Sequence, residues 1–379
     1  MRLAFKYRLY PTKAQGVFLE EQLREACDLY NCALQERIGA WKTCRKSISY
    51  YDQARQLKPM RDEELLRLAN HHCAQNVLRR LDRAFKDFFH RIKRGQTPGF
   101  PRYRSSRRYD SITFPIYGNG CKLLKIDKLY VQGTGEIKIK LHRPVEGKIK
   151  TTTIKREAGR WFVCFTVERD PKPLEPNSNV AGIDVGLTAF ATLSDGTEIK
   201  NPRCYRKAQA KLRRAQRRVA RRKKGGHRRR KAVLLLQRAH AHVRNQRADF
   251  HHKVSRRIVN GYGTIAVEDL NVKGLAASRL AKSVNDAGWS EFLSKIAYKA
   301  EDADRCFVKV DPRGTSQVCV CGANVPKRLK DRWHHCPSCG LSLGRDHASA
   351  MVILQRAWIR LSGANVEAVS SCVTREAVA

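Results

Sequence analysis

The chain opens on a strict alternation. Leu3, Phe5, Tyr7 and Leu9 face one way, and Arg2, Lys6 and Arg8 the other. That period of two predicts a short strand with one basic face, ended by Pro11. Thr12 is placed to cap a helix beginning near Lys13. Leu19, Leu23, Cys27, Tyr30, Leu34, Ile38 and Trp41 then recur at helical spacing. A second helix is predicted after Met60, with Val77, Leu81, Phe85, Phe88 and Ile92 on one face. Gln75, Arg79, Arg83 and Lys86 fall on its other faces. Between 111 and 168 the period returns to two. Ile137, Ile139 and Leu141 alternate with Glu136, Lys138 and Lys140, and Trp161, Val163, Phe165 and Val167 with Phe162, Cys164 and Thr166. Turn residues recur at Gly118-Asn-Gly120, Gly133-Thr-Gly135, Gly147 and Gly159. This predicts a small antiparallel β barrel or sheet. The first strand could complete it, with the helical segment as an insertion.

Pro171 to Asn179 reads as a linker. Val180, Ile183 and Val185 then want a core, with Asp184 among them. An unpaired carboxylate there costs several kcal/mol, roughly, so it needs a cation or a donor. A metal ion on Asp184 and a solvent-facing edge aspartate are both open readings. Phe190-Ala-Thr-Leu193 predicts a second strand closing on the turn at Asp195-Gly196. Thr264 to Val267 reads as a buried parallel strand ending in Glu268 and Asp269. Functional groups of open α/β sheets collect at such carboxyl ends. Glu268 is therefore a candidate partner for Asp184, with a helix-capping acid as the alternative. Trp289, Phe292, Ile296 and Ala300 share a helix face, and Cys306 to Val310 predicts another strand. Asp346 falls at the start of a helix carrying Met351, Val352 and Leu354. The helix dipole favours a carboxylate there, and a plain N-cap is equally open. No strong pattern follows Leu361.

Charge changes the picture. The 379 residues hold 76 basic and 35 acidic side chains, a formal net charge of +41. That excess predicts a polyanionic partner, nucleic acid before a membrane surface. No apolar run approaches the ~18 residues of a membrane span. The basic start does not read as a signal peptide, so a cytoplasmic chain without a membrane partner is expected. Two stretches concentrate the charge. Residues 93 to 109 carry Lys93, Arg94, Arg102, Arg104, Arg107 and Arg108, with Phe100, Tyr103 and Tyr109 between them. Pro98, Gly99 and Pro101 make this a loop. Arginines bind phosphate and rings stack on bases, so Arg102, Tyr103 and Arg104 are candidate contacts. Arg203 to Lys231 is almost uninterrupted in its charge, and Gly225-Gly226 divides it into a helical hairpin. A solvated arm is one reading. Such arginine density repels itself unless a phosphate backbone neutralises it, which favours Arg213, Arg214, Arg217, Arg218 and Arg221 as nucleic-acid contacts.

There are 13 cysteines. Cys319-Val-Cys321-Gly322 and Cys336-Pro-Ser-Cys339-Gly340 form two pairs separated by 14 residues. Four thiolates at this spacing predict a tetrahedral zinc site with no open position, hence structural. His334 and His335 could supply a ligand, but four cysteines make that unnecessary. The remaining nine are scattered and fit a reducing cytosol.

Asp184, Glu268 and Asp346 together stand on two strands and a helix of one predicted α/β layer. Three carboxylates without matching buried bases imply divalent cations, magnesium or manganese by their oxygen ligands. Beside a polyanion-binding surface, that implies two-metal phosphodiester hydrolysis, the reaction of an RNase H-like nuclease domain.

The chain resembles the TnpB (OrfB) proteins of bacterial insertion sequences, relatives of type V CRISPR effectors. The matching stretches are Lys6-Tyr-Arg-Leu-Tyr-Pro11-Thr, Leu81-Asp-Arg-Ala-Phe-Lys-Asp-Phe-Phe89, Pro98-Gly-Phe-Pro-Arg-Tyr103, Gly182-Ile-Asp184-Val-Gly186, Val267-Glu268-Asp269-Leu-Asn271, Thr315-Ser-Gln317-Val-Cys319 and Arg345-Asp346. They are collinear and cover nearly the whole chain to about Leu361. The resemblance implies a multidomain α+β protein. A split β-barrel wedge domain (1–11 and 109–175) would carry a helical recognition insertion (12–108). A RuvC-like α/β nuclease domain (176–312 and 343–362) would hold an inserted zinc ribbon (313–342), and 363–379 would be a flexible tail. It further implies magnesium-dependent cutting of double-stranded DNA beside a short adjacent motif. The guide RNA would come from the end of the transposable element, with one protein chain per RNA near the bacterial nucleoid. Asp184, Glu268 and Asp346 carry over as the catalytic, magnesium-holding acids, and Cys319, Cys321, Cys336 and Cys339 as the zinc ligands. Two features depart from the family. The first cysteine pair is C-x-C. The usual Asp-Arg-Asp with a following Asn is here Gly344-Arg345-Asp346-His347-Ala348. A guide-directed repressor without cleavage and an accessory transposase are the alternatives. The latter lacks a His-x-His with a paired tyrosine beyond His240-Ala-His242.

Overall fold

A computed structural model describes residues 1–363 except 126 and 329. Of the expected tail, everything after Gly363 lies outside the described residues. The chain divides into two compact units, Met1–Asp170 and Pro171–Ala379.

The first unit begins with β1 (Arg2–Tyr10), followed by α1 (Lys13–Cys44), α2 (Tyr50–Asp62) and α3 (His71–Lys93). Six strands complete it: β2 (Ser111–Phe114), β3 (Cys121–Lys125), β4 (Lys128–Val131), β5 (Gly135–Lys140), β6 (Lys148–Glu157) and β7 (Arg160–Glu168). They form one antiparallel sheet in the order β2-β6-β7-β1-β5-β4-β3. β1 is paired on both sides, with Phe5 opposite Phe165 and Leu9 opposite Ile139. The chain therefore leaves the middle of the sheet at Tyr10 and returns at its edge, and the three helices are that excursion. Phe5, Tyr7 and Leu9 share one core with Leu19, Leu23, Leu78 and Leu81 of the helices. Thr12 caps α1 in a reciprocal capping box with Gln15. Trp41, last in the apolar stripe of α1, is exposed. One expectation is corrected. Instead of a single helix after Met60, α2 comes first and α3 starts only at His71. α2 buries just Gln53 and Leu57, too little for an apolar period, and its start is set by the Ser49–Asp52 capping box.

The second unit contains β8 (Val180–Val185), β9 (Ala189–Leu193), β10 (Glu198–Lys200), α4 (Cys204–Ala220), α5 (His227–Gly261), β11 (Thr264–Glu268), α6 (Val272–Leu275), α7 (Ala281–Ala287), α8 (Trp289–Asp302), β12 (Cys306–Val310), β13 (Trp333–His335), β14 (Ser342–Gly344) and α9 (Arg345–Gly363). A five-stranded sheet runs β10-β9-β8-β11-β12, with β8, β11 and β12 parallel and β9 and β10 antiparallel. β13 and β14 make a separate hairpin. Successive residues of a strand point to opposite faces. Ala181, Ile183, Ile265 and Val267 join Val254, Ile258, Phe292 and Ile296 in one core. Ala266, Val308 and Val310 join Ile353 and Ala357 of α9 in another. The sheet is thus covered by α5 and α8 on one face and α9 on the other.

Gly182 makes the second layer possible. A Cβ at this position would lie 2.1 Å from the Ala350 carbonyl oxygen and 2.8 Å from the Leu354 nitrogen. The backbone of α9 therefore rests directly on β8, an approach open only to glycine. Gly182→Ala is expected to lower stability by about 1–3 kcal/mol through overpacking. Gly39→Ala, in the interior of α1 with open space around an added methyl group, should raise it by about 0.5–1 kcal/mol. Denaturant unfolding of the two variants checks the opposite signs; a neutral Gly182→Ala would contradict the close approach of α9.

Candidate active site and cysteine cluster

The parity of the strands decides which acids can meet. Asp184 lies two residues beyond Gly182, and Glu268 two beyond Ala266, so both stand on the α9 side of the sheet. Parallel pairing sets Ala266 beside Gly182 and Val267 beside Ile183, which brings the two acids to neighbouring strand ends. Asp346 comes from the first turn of α9, one turn before the residue that crosses Gly182. Its Oδ2 lies 3.8 Å from where a Cβ of Gly186 would stand.

The electrostatics are those of three like charges. Burial, then Glu268, then Asp346 push the Asp184 carboxyl up to about 8, with Arg345 opposing. Burial also raises Glu268, against a hydrogen bond from Thr315 and the charge of Arg356. Glu268 is buried, and Asp346 remains partly open to solvent. Two arginines approach the acids, and both are half-buried rather than buried. Arg345 Nε lies 4.0 Å from Asp346 Oδ1, and Arg356 acts on Glu268. Both arginines sit on α9, which packs against the sheet, so both are carried in with Asp346. Even so, Asp184 retains its raised value. This donor set suits a divalent cation, whose charge can take the place of the proton.

The four cysteines converge. Among the described residues, Cys319, Cys321, Cys336 and Cys339 are the one group of three or more potential ligands whose atoms all lie within 4.8 Å of one another. Cys319 Sγ is 3.7 Å from Cys339 Sγ, and Cys321 Sγ is 3.6 Å from Cys336 Sγ. Tetrahedral zinc with Zn–S bonds near 2.3 Å requires sulfurs about 3.8 Å apart. Gly322 and Gly340 take positive φ, 89° and 72°, as the two knuckles need. Backbone amides of Cys339 and Ser338 draw the Cys336 thiol down to about 6. The shortened first pair therefore closes as well as the second. His334 is buried and His335 exposed, and neither joins the group.

The basic candidates separate into two kinds. Arg213, Arg214, Arg217, Arg218 and Arg221 are exposed along α4 and the turn after it. Arg218, Arg222, Arg228 and Lys231 line one cleft between α4 and α5. The loop of Arg102, Tyr103 and Arg104 is instead pinned to α1. Asn31 exchanges two hydrogen bonds with the Arg104 backbone, of 2.8 and 2.9 Å, and the Tyr103 hydroxyl donates to Gln35. Arg102, Arg104 and Tyr103 still face solvent. The ring of Tyr109 is buried, because the returning chain needs an apolar anchor on the core, and it offers no stacking face. Thr315, Arg345 and Arg356 were not singled out as site residues from sequence. For Thr315 and Arg345 the available signals are the stretches Thr315-Ser-Gln317-Val-Cys319 and Arg345-Asp346; Arg356 has none.

Three family models match the chain. OrfB_IS605, described as "Probable transposase", covers residues 162–279. "Cas12f1-like, TNB domain" covers 289–353, and "Helix-turn-helix domain" covers 1–46. In the structure that last span holds β1 and the single helix α1. Two relatives carry the name "Putative RNA-guided DNA endonuclease". That of Streptomyces pristinaespiralis is 34% identical over 367 residues, spanning 93% of this chain and 89% of its own. InsQ of Escherichia coli is 28% identical over 374 residues, spanning 93% and 91%. Among solved structures, the cryo-EM structure of the Cas12f1–sgRNA–target DNA complex covers 93% of this chain and 99% of its own, at 15% identity and a TM-score of 0.35.

A carboxyl whose pKa is higher in the folded chain holds its proton more tightly there. For Asp184 the resulting stability is complete below its ordinary 3.8 and is lost as pH rises toward about 8. Without divalent ions, thermal stability should therefore fall from pH 5 to pH 8. Asp184→Asn should flatten that fall, and magnesium should restore the wild type at pH 8 but not the variant. Parallel slopes for the two proteins would refute the assignment. For the cysteines, elemental analysis should find one zinc per chain, and Cys336→Ser should lose the metal and lower the melting temperature.

Proposed function

Because the chain belongs to the TnpB (OrfB) family, to which its relatives join it along nearly its whole length, we propose that it is an RNA-guided DNA endonuclease of a transposable element. The observation that carries this reading is the convergence of Asp184, Glu268 and Asp346 at one end of the sheet beneath α9. In this reading the five-stranded sheet and α9 form an RNase H-like (RuvC) nuclease domain, over 176–312 and 343–362. The cysteine module, 313–342, is a zinc ribbon inserted before the last acid. The seven-stranded sheet of 1–11 and 109–175 is the wedge domain, and 12–108 the recognition insertion.

Asp184, Glu268 and Asp346 would hold magnesium. When bound, the ions supply an activated water and charge stabilisation at the leaving 3′ oxygen. The protein's own part is to keep three carboxylates on one rigid face. Asp184, whose carboxyl is pushed up by burial and then by the charges of Glu268 and Asp346, would give up its proton when a cation binds. Arg345 and Arg356 hold net negative charge at the site below what three bare acids would give. The exposed arginines of α4 and the turn after it, with Arg102, Tyr103 and Arg104, would contact RNA and DNA backbones, while base pairing with the guide selects the target. The guide would derive from the end of the element, and a short motif beside the target would be read by the protein.

The protein, co-expressed with DNA flanking its own element, should copurify with an enriched RNA. With magnesium it should cut a matched DNA library and select one flanking sequence. Asp184→Ala removes a metal ligand worth several kcal/mol of transition-state stabilisation, so cutting should fall by about 10²–10³-fold or more. RNA and DNA binding should persist. Selective DNA retention by the wild type without cutting would instead identify a repressor.

A further inference from the structure

Thr315 is held in place from two directions. The residue is 4% exposed, and its hydroxyl donates to Glu268 Oε1. The segment before it is held by α9: Arg356 Nη1 donates to the carbonyls of Asp311 at 2.8 Å and Arg313 at 2.7 Å. The segment after it is held by the cysteine module. Gln317 Nε2 donates to the Lys327 carbonyl at 2.9 Å, and Gln317 Oε1 accepts from the Lys327 amide at 2.6 Å. Lys327 Nζ returns to the Ser316 carbonyl at 2.8 Å. Three residues near the start of the module thus connect the acid to Lys327 within it.

The hydroxyl has one proton to give. Its other acceptor, the Pro312 carbonyl, is 3.2 Å away and the weaker partner. Given to Glu268, the proton fixes one carboxylate oxygen and leaves the second for a cation. Partners of this kind orient a ligating carboxylate without touching the metal. We propose that Thr315 is a positioning residue for Glu268, and that the Thr315–Gln317 segment transmits the fold of the cysteine module to the acid site. The proposal rests on the reading of Glu268 as a metal-holding acid.

The test uses the full chain with its guide RNA and three variants: Thr315→Val, Thr315→Ser and Gln317→Leu. Mn²⁺ binding is followed by electron paramagnetic resonance without DNA. Cleavage is titrated with Mg²⁺, and zinc content and target retention are measured alongside. Thr315→Val should weaken Mn²⁺ binding and raise the Mg²⁺ midpoint by about tenfold or more. Thr315→Ser should return both close to wild type. Gln317→Leu should shift both in the same direction by less, with zinc content and target retention unchanged. Wild-type Mn²⁺ binding and midpoint in Thr315→Val would overturn the proposal. So would a defect that serine does not rescue, or one accompanied by equal losses of zinc or target binding. A wild-type protein that neither binds Mn²⁺ nor cuts would bring down the endonuclease reading and this proposal together, and the wild type alone distinguishes that case.

Discussion

The contact of α9 with β8 at Gly182 is the constraint on which the second unit turns. One missing side chain lets a helix backbone rest on a strand. From that contact the rest follows by geometry. Asp346 lies one helical turn from the crossing, Asp184 two residues along the strand, and Glu268 on the adjoining strand in parallel register. A helix held further out by a methyl group would carry Asp346, Arg345 and Arg356 away from the sheet together.

That arrangement works against stability. Burial, then the charges of Glu268 and Asp346, oppose ionisation of Asp184, in a fold whose whole stability is on the order of 5–15 kcal/mol. The unit tolerates this because its cores lie elsewhere. Phe190, Phe292, Ile296 and Val267 fill one face of the sheet. Ile353 and Ala357 seal the other beyond the acids. The repulsion that opposes ionisation of the bare acids would equally favour a cation among them.

The cysteine module meets the opposite problem. Among the described residues its own apolar core holds only Cys319, Val325 and Cys336, too little to order a segment of this length. Four sulfurs at tetrahedral spacing are arranged to make up for the missing apolar contacts, since a metal bound there would contribute its binding energy to folding. The module is then tied to the second unit at several points: through Gln317 to the Thr315 segment, through Gln355 to the Val320 carbonyl, and through Trp333 paired with Gly344 just before α9. It thus adjoins the segment that holds Glu268 at one end and the start of α9, with Asp346, at the other.

What the sequence by itself determined was local. Alternation marked β1, β5 and β7, because side chains on a strand repeat every two residues. The start of α1 could be placed at Thr12, because a cap acts within one turn. The cysteine cluster was legible because two short pairs, each with its glycine, carry most of their own geometry. The tertiary structure alone decided what depends on distant parts of the chain. It set Asp184, Glu268 and Asp346 on one face, since register and helix approach have no signature in a single period. It buried Tyr109, placed α2 where almost nothing apolar announces a helix, and brought Arg345, Arg356 and Thr315 to the acids. Each of those outcomes depends on a neighbour remote in sequence, and no pattern of spacing along the chain records which neighbour that will be.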